Sequence, residues 1–345
     1  MLLENPQQVC LVENATVGAV TVARRWAKLI EPGDVVIHLD IAYKACVHVL
    51  REHCAQAGAT LVEIRTPFLA STEDEICAAV EEQLKALCSS TRGPRYAFLD
   101  HVSSQPAVLL PAKRLTALCR DYGCEEVAVD GAHSVGSVHD LDVVDMDCDF
   151  FFSNLHKWGF APGTATVFFC KTPELAAATH HPITSWDYPQ GIAEESLFPG
   201  TRDFSAILAV PAAVEYLKAW RSADGLTSAE HCKREVQAAA AQLRFVWESE
   251  DVDPAASMEE SLIATQVGPA SSLASRSTIY FARLTLFFTL FLARFLPRFL
   301  PRFLPRFLPC FWGAFSLVVC SVFVALFFWH AHLSRPQHSN MKEHV

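Results

Sequence analysis
A surplus of basic residues is missing from this chain. Its 345 residues carry 28 Lys and Arg against 38 Asp and Glu, a formal charge of −10, whereas a general nucleic-acid binder would show a basic face. Also missing is any grouping of its 12 cysteines into a CxxC or a Cys/His zinc spacing; Cys119 and Cys124 come nearest. The histidines, His180-His181 among them, stand at no ligand spacing, so core and surface roles are expected and a metal is not. The opening residues MLLENPQQVC contain a Glu and lack the basic and apolar regions of a secretory leader. Scattered cysteines without such a leader read as reduced thiols in a cytosolic compartment.

What is present changes character near residue 250. Residues 1–247 alternate short Val/Ile/Phe-rich runs with amphipathic runs, the pattern of an α/β domain with a mainly parallel sheet. Residues 248–280 are rich in Ser, Ala, Glu and Asp and read as a linker. Residues 281–309 are apolar with interspersed arginines and hold Arg-Phe-Leu-Pro four times over, from Arg294 to Pro309. A proline at every fourth position removes helical donors and clashes with the preceding turn, so no regular helix continues there. Leu308 to Trp329 contains no formally charged residue. At ~1.5 Å per residue an unbroken helix of that run reaches ~33 Å, enough for a ~30 Å hydrocarbon core. Arg294, Arg298, Arg302 and Arg306 flank it on one side, with only Arg335 and Lys342 after it. This bias predicts a single C-terminal membrane anchor that leaves the α/β domain cytosolic, followed by a short polar tail, 330–345.

The segment Val129–Gly163 carries the chemistry: VDGAHSVG, then SNLHKWGFAPG. One apolar strand ends in Asp130, and a second, Phe150 to Ser153, leads to Lys157. A lysine amine forms a Schiff base with an aldehyde, and a carboxylate keeps a pyridine nitrogen protonated, so the pair suits pyridoxal phosphate. The ordered set Asp130, His133, Asn154, His156, Lys157 and Pro162-Gly163 resembles the class V, cysteine desulfurase-like, aminotransferase family, and within it the isopenicillin N epimerase-like branch.

That resemblance implies a large domain of the aspartate aminotransferase fold, with pyridoxal 5'-phosphate as cofactor and an amino-acid-type substrate. It assigns Ala15 and Thr16, at the start of a helix following the strand Val9–Val12, to the phosphate, where free N–H groups and the helix dipole favour an anion. Tyr43 falls where the family often stacks a group on the ring, and Ser104 falls near ring and substrate. His133 matches the residue bonded to the phenolic oxygen; Asn154 and His156 match phosphate-side groups beside Lys157. Thr201 in FPGTRD matches the residue that reaches the neighbouring subunit's phosphate, which implies a homodimer. Arg202 is open to a substrate carboxylate or to pairing with Asp203. Trp158 reads as packing.

The resemblance covers Val9 to about Trp220. The family's N-terminal covering segment and its small C-terminal domain have no match here, and linker and apolar tail stand where that domain belongs. With it goes the loop cysteine that a desulfurase uses, so desulfurase chemistry proper is disfavoured. A lysine Schiff base followed by a quinonoid intermediate leads to epimerisation, C–S cleavage or transamination, and the sequence does not choose among them. A cofactor-binding or dimerising relic without turnover, or a truncated or chimeric gene product, stays open beside the enzyme.

Overall fold
The computed structural model describes residues 5–67 and 72–247. In chain order the first half comprises β1 (Val9–Val12), α1 (Ala15–Leu29), β2 (Val35–Leu39), α2 (Lys44–Ala57), β3 (Thr60–Ile64) and α3 (Glu73–Ser90). There follow β4 (Pro94–Asp100), α4 (Ala112–Asp121), β5 (Glu126–Asp130), β6 (Phe150–Asn154), the one-turn α5 (Leu155–Trp158) and β7 (Thr166–Cys170). Five further helices close the described chain: α6 (Pro173–Ala177), α7 (Ile192–Glu195), α8 (Ser205–Leu208), α9 (Val210–Ala219) and α10 (Ser228–Trp247).

The strands form one seven-stranded sheet in the order β1-β7-β6-β5-β4-β2-β3. Neighbours from β3 to β6 are parallel, while β7 runs antiparallel to both β6 and β1. All five residues of β2 and of β6 are buried, as expected where helices cover both faces of a parallel sheet. The two-residue period of a strand divides the core. Ile37, Leu99, Val129 and Phe151 pack on the α3/α4 side, and Val36, Phe98, Ala128 and Phe152 pack on the α1/α2 side. Asp100 and Asp130 continue the second series, so both carboxylates face the α1/α2 layer.

Helix α1 starts where Asn14 accepts the Val17 N–H at 3.0 Å; Asn14, not Thr16, caps it. Gly18 lets α1 approach the sheet, since a Cβ there would sit 2.8 Å from the Phe152 ring. Helix α2 begins at Lys44, which leaves Tyr43 as its N-cap with a half-exposed side chain. The run from Ser205 to Ala219 divides into α8 and α9 beside Pro211, which has no N–H with which to continue the first turn. Among the described residues no helix is long and apolar enough to cross a membrane. The linker at 248–280, the repeat and the anchor at 308–329 lie outside them.

Candidate active site
The parallel strands β4, β5 and β6 bring their carboxyl ends together, the side of an open α/β sheet where ligands gather. Asp130 is the last residue of β5, and Lys157 lies one helical turn beyond β6 on α5. The Lys157 Nζ is 3.0 Å from His133 Nε2, and the Trp158 indole N–H donates to His133 Nδ1 at 3.4 Å. Trp158 is therefore more than packing. Burial, aided by the Lys157 charge, pushes the His133 pKa down to about 4, so the ring is neutral near pH 7. With Nδ1 accepting from Trp158, the ring proton resides on Nε2 and points at the lysine nitrogen. Desolvation lowers the Lys157 pKa against the opposing pulls of Asp130 and Cys46.

Asp130 is buried and partnered. Its Oδ1 accepts the Ala132 N–H at 2.9 Å and its Oδ2 faces the Cys46 thiol at 3.5 Å. Burial raises its pKa, while these bonds and the Lys157 charge oppose the rise. On the neighbouring strand, in register with it, stands Asp100. Two unit charges one strand spacing apart, about 4.8 Å, repel by roughly 3 kcal/mol at an effective dielectric of about 20. His101, the next residue, is buried and holds Ser134 Oγ at 2.9 Å through Nδ1; burial alone lowers its pKa to about 4.

Asn154 ties three elements together. Its Oδ1 accepts the Ala15 N–H at 2.9 Å and the Thr166 hydroxyl at 2.6 Å, joining the end of β6 to the start of α1 and to β7. Val17 N–H goes to Asn14, which leaves the N–H and hydroxyl of Thr16 without a protein partner among the described residues, at a helix start suited to a phosphate. His156 is pinned through Nδ1 to the Ala165 carbonyl at 2.9 Å. Gly136, with φ +88°, lets the loop after His133 touch the Trp158 carbonyl, only 2.1 Å from where a Cβ would stand.

Other expected positions are less directly engaged. Ser104 is half-buried in the turn after β4, while its neighbour Ser103 is fully buried and bonds Pro106 O and Val108 N. The backbone of Tyr43 faces the Asp100 carboxyl; its ring is half-exposed, and no hydrogen bond among the described residues joins it to Lys157 or Asp130. Thr201 is exposed, and no hydrogen bond among the described residues joins it to the Lys157 group. Arg202 does not pair with Asp203. It pairs with Glu13, which immediately precedes the start of α1, and stacks its guanidinium over Phe204 at 5.1 Å. Asp100, His101 and Cys46 were not singled out from the sequence. The available signal was a polar Asp-His pair closing an apolar strand, which reads equally as a strand terminus.

A family profile described as "Aminotransferase class-V" matches residues 2–268. The chain belongs to the class-V aminotransferase family. It is 38% identical over 233 residues to a putative L-cysteine desulfhydrase 1 of Oryza sativa subsp. japonica, covering 66% of this chain and 48% of that protein. With the isopenicillin N epimerase of Streptomyces clavuligerus it shares 31% over 231 residues, 61% of this chain and 54% of the epimerase. The chain thus spans about half the length of these curated relatives. In fold it is similar to a C-DES mutant solved with glycine covalently linked to its PLP cofactor, at a TM-score of 0.54 and 19% identity, over 71% of this chain and 62% of that one.

Proposed function
We propose that this chain holds pyridoxal 5'-phosphate on Lys157 and cleaves the carbon–sulfur bond of a cysteine-type amino acid. The observation that carries the reading is the Lys157 amine set 3.0 Å from a neutral His133, beside a buried Asp130 at the end of the adjacent strand. The donor set fits the cofactor: Thr16 with the α1 N-terminus for the phosphate, His133 for the phenolic oxygen, Asp130 for the ring nitrogen and Lys157 for the aldehyde. Of the reactions open to the family, C–S cleavage is favoured by the relatives named cysteine desulfhydrases, whose identities of 34–38% exceed the 31% of the epimerase.

When bound, the cofactor supplies an electron sink for negative charge at a substrate α-carbon. The protein's own residues do the rest. Lys157, with its lowered pKa, takes the α-proton on Nζ as general base. The single His133 N–H, on Nε2, orients that amine in the cofactor-free chain and would be the donor to the phenolic oxygen once the cofactor is held. Asp130 contributes a fixed negative charge where a ring cation needs one. Sulfide leaves the β-carbon with a proton, and water converts the remaining enamine acid to pyruvate and ammonia.

A homodimer accompanies this proposal. Thr201 is exposed on a loop bordered by exposed apolar residues, Leu197 (69%), Phe198 (49%) and Leu208 (77%), a surface suited to a second copy that receives Thr201 at its own site. The membrane anchor at 308–329 is proposed on its uncharged run and flanking arginines alone. To test the function, the purified chain is loaded with pyridoxal phosphate, reduced with borohydride and mapped by peptide mass. The pyridoxyl group is expected on Lys157, and cysteine is expected to yield sulfide and pyruvate in equal amounts. Label on another lysine, or no binding at saturating cofactor, refutes the site; label on Lys157 without sulfide refutes the reaction and favours a cofactor-binding relic.

A further inference from the structure
Asp100 and Asp130 are register partners on adjacent parallel strands, and the alternation along β4 and β5 turns both toward α1 and α2. Both are buried, at 2% and 3% exposure. Their surroundings differ. Asp130 receives the Ala132 N–H and the Cys46 thiol and lies in the field of Lys157. Asp100 Oδ2 is sealed from water with no hydrogen-bond partner among the described residues. The charged groups facing it are Asp130 from β5 and Asp40 from the end of β2, both negative, and the Tyr43 backbone at the head of α2 offers the one favourable dipole. His101 beside it is neutral near pH 7. The Cys46 thiol bonds Asp130 and also lies in the field of Asp100, while the Lys157 amine faces Asp130.

We propose that Asp100 stands as a neutral carboxylic acid near pH 7, a positioning residue that leaves the single negative charge of the pair on Asp130. A carboxylate with an oxygen that is buried, unpartnered and next to like charge is the least stable form available to it. Burial, then the Asp130 charge, push the Asp100 carboxyl well above the usual carboxylate range, in keeping with this geometry. The consequence for a cofactor ring rests on the function proposed above: an ionised Asp100 would draw a proton into the pair and dilute the charge that Asp130 presents to the ring nitrogen. Protonation of Asp100 itself does not depend on that function.

Linkage gives the test. The folded chain keeps a proton on Asp100 that the unfolded chain releases near pH 4. The stability this confers is complete below the unfolded pKa and is lost as pH rises toward the raised folded value. Asp100→Asn has no proton to lose. In melts of the full, cofactor-free chain its Tm relative to wild type should therefore climb between about pH 5 and about pH 8. A difference that stays flat, or a variant that falls behind as pH rises, overturns the proposal.

Carbon NMR of wild-type chain with carboxyl-labelled aspartate gives a second measurement that needs no variant. One aspartate should keep a neutral-carboxyl shift at neutral pH, and its absence overturns the proposal even where Asp100→Asn fails to fold. With pyridoxal phosphate added, Asp100→Asn should bind within about threefold of wild type and keep its visible band, whereas Asp130→Asn should shift that band. A shift of the band by Asp100→Asn as large as that by Asp130→Asn means that Asp100 carries charge and also overturns it. Failure of wild type to bind the cofactor overturns the proposed function and leaves the melts and the NMR to decide on Asp100.

Discussion

Replacing Asn154 separates the architecture of the site from its chemistry. The side-chain oxygen accepts two hydrogen bonds inside the protein, from Ala15 N–H and the Thr166 hydroxyl, and the residue is only 4% exposed. Asn154→Ala removes the acceptor and strands two donors in a confined space. At about 1–3 kcal/mol for each buried group left without a partner, the variant should lose about 2–6 kcal/mol. Asn154→Asp keeps an acceptor of the same shape and should lose less, since a negative charge at a helix start also meets a favourable dipole. That charge would repel an incoming phosphate. Urea denaturation of the cofactor-free chain measures the first quantity, and fluorescence titration with pyridoxal phosphate measures the second. Stability ordered wild type, Asp, Ala is expected, together with an Asp variant whose affinity falls at least about tenfold. An Ala variant as stable as wild type, or an Asp variant that binds the cofactor normally, would refute the reasoning that Asn154 sets the phosphate end of the site.

Two further outcomes follow from the geometry and a third from the sequence. Gly136→Ala should cost about 3 kcal/mol or more, because φ +88° is strained for alanine and its Cβ would meet the Trp158 carbonyl at 2.1 Å; differential scanning calorimetry and the rate of Lys157 labelling should fall together. Glu13 is held below the usual carboxylate range, first by the His181 ring 3.5 Å away and also by Arg202. Its contribution is present above the unfolded pKa and lost as pH falls through the depressed folded value, so Glu13→Gln should melt lower than wild type near pH 7, and the gap should narrow as pH falls below about 4. If 308–329 anchors the chain, carbonate extraction should leave the full protein in the membrane pellet and release a chain ending at residue 280.

Strands were legible as short unbroken apolar runs: Val9–Val12 was expected as it stands, and Phe150–Ser153, buried on both faces, to within a residue. Asp130 and Lys157 were legible for a related reason, since each is an ionisable residue just beyond such a run. The order of the strands was not. Nothing local to Val9–Val12 indicates that it pairs with Thr166–Cys170. The Asp100–Asp130 pair was hidden in the same way, because register between strands is set by the sheet as a whole. Arg202 illustrates the limit: its neighbour Asp203 was the obvious partner, yet the fold delivers Glu13 from the other end of the domain. Tyr43 was assigned to the ring by motif position alone; the fold places it at the N-cap of α2 with its side chain half-exposed.

The reversed strand β7 has a consequence for the order in which the molecule can be made. Because β7 runs against its neighbours, β1 on its far side points the same way as β6 and delivers the start of α1 to the carboxyl end of the sheet. Among the described strands β1 thus has no sheet partner until Thr166–Cys170 has emerged, and the closure of so long a loop is slow. Strands β2 to β5 meet earlier, yet they carry only the Asp130 half of the site. A nascent chain stalled before Thr166 should therefore fail to retain pyridoxal phosphate, and one stalled well beyond Cys170, with the segment clear of the exit tunnel, should begin to do so.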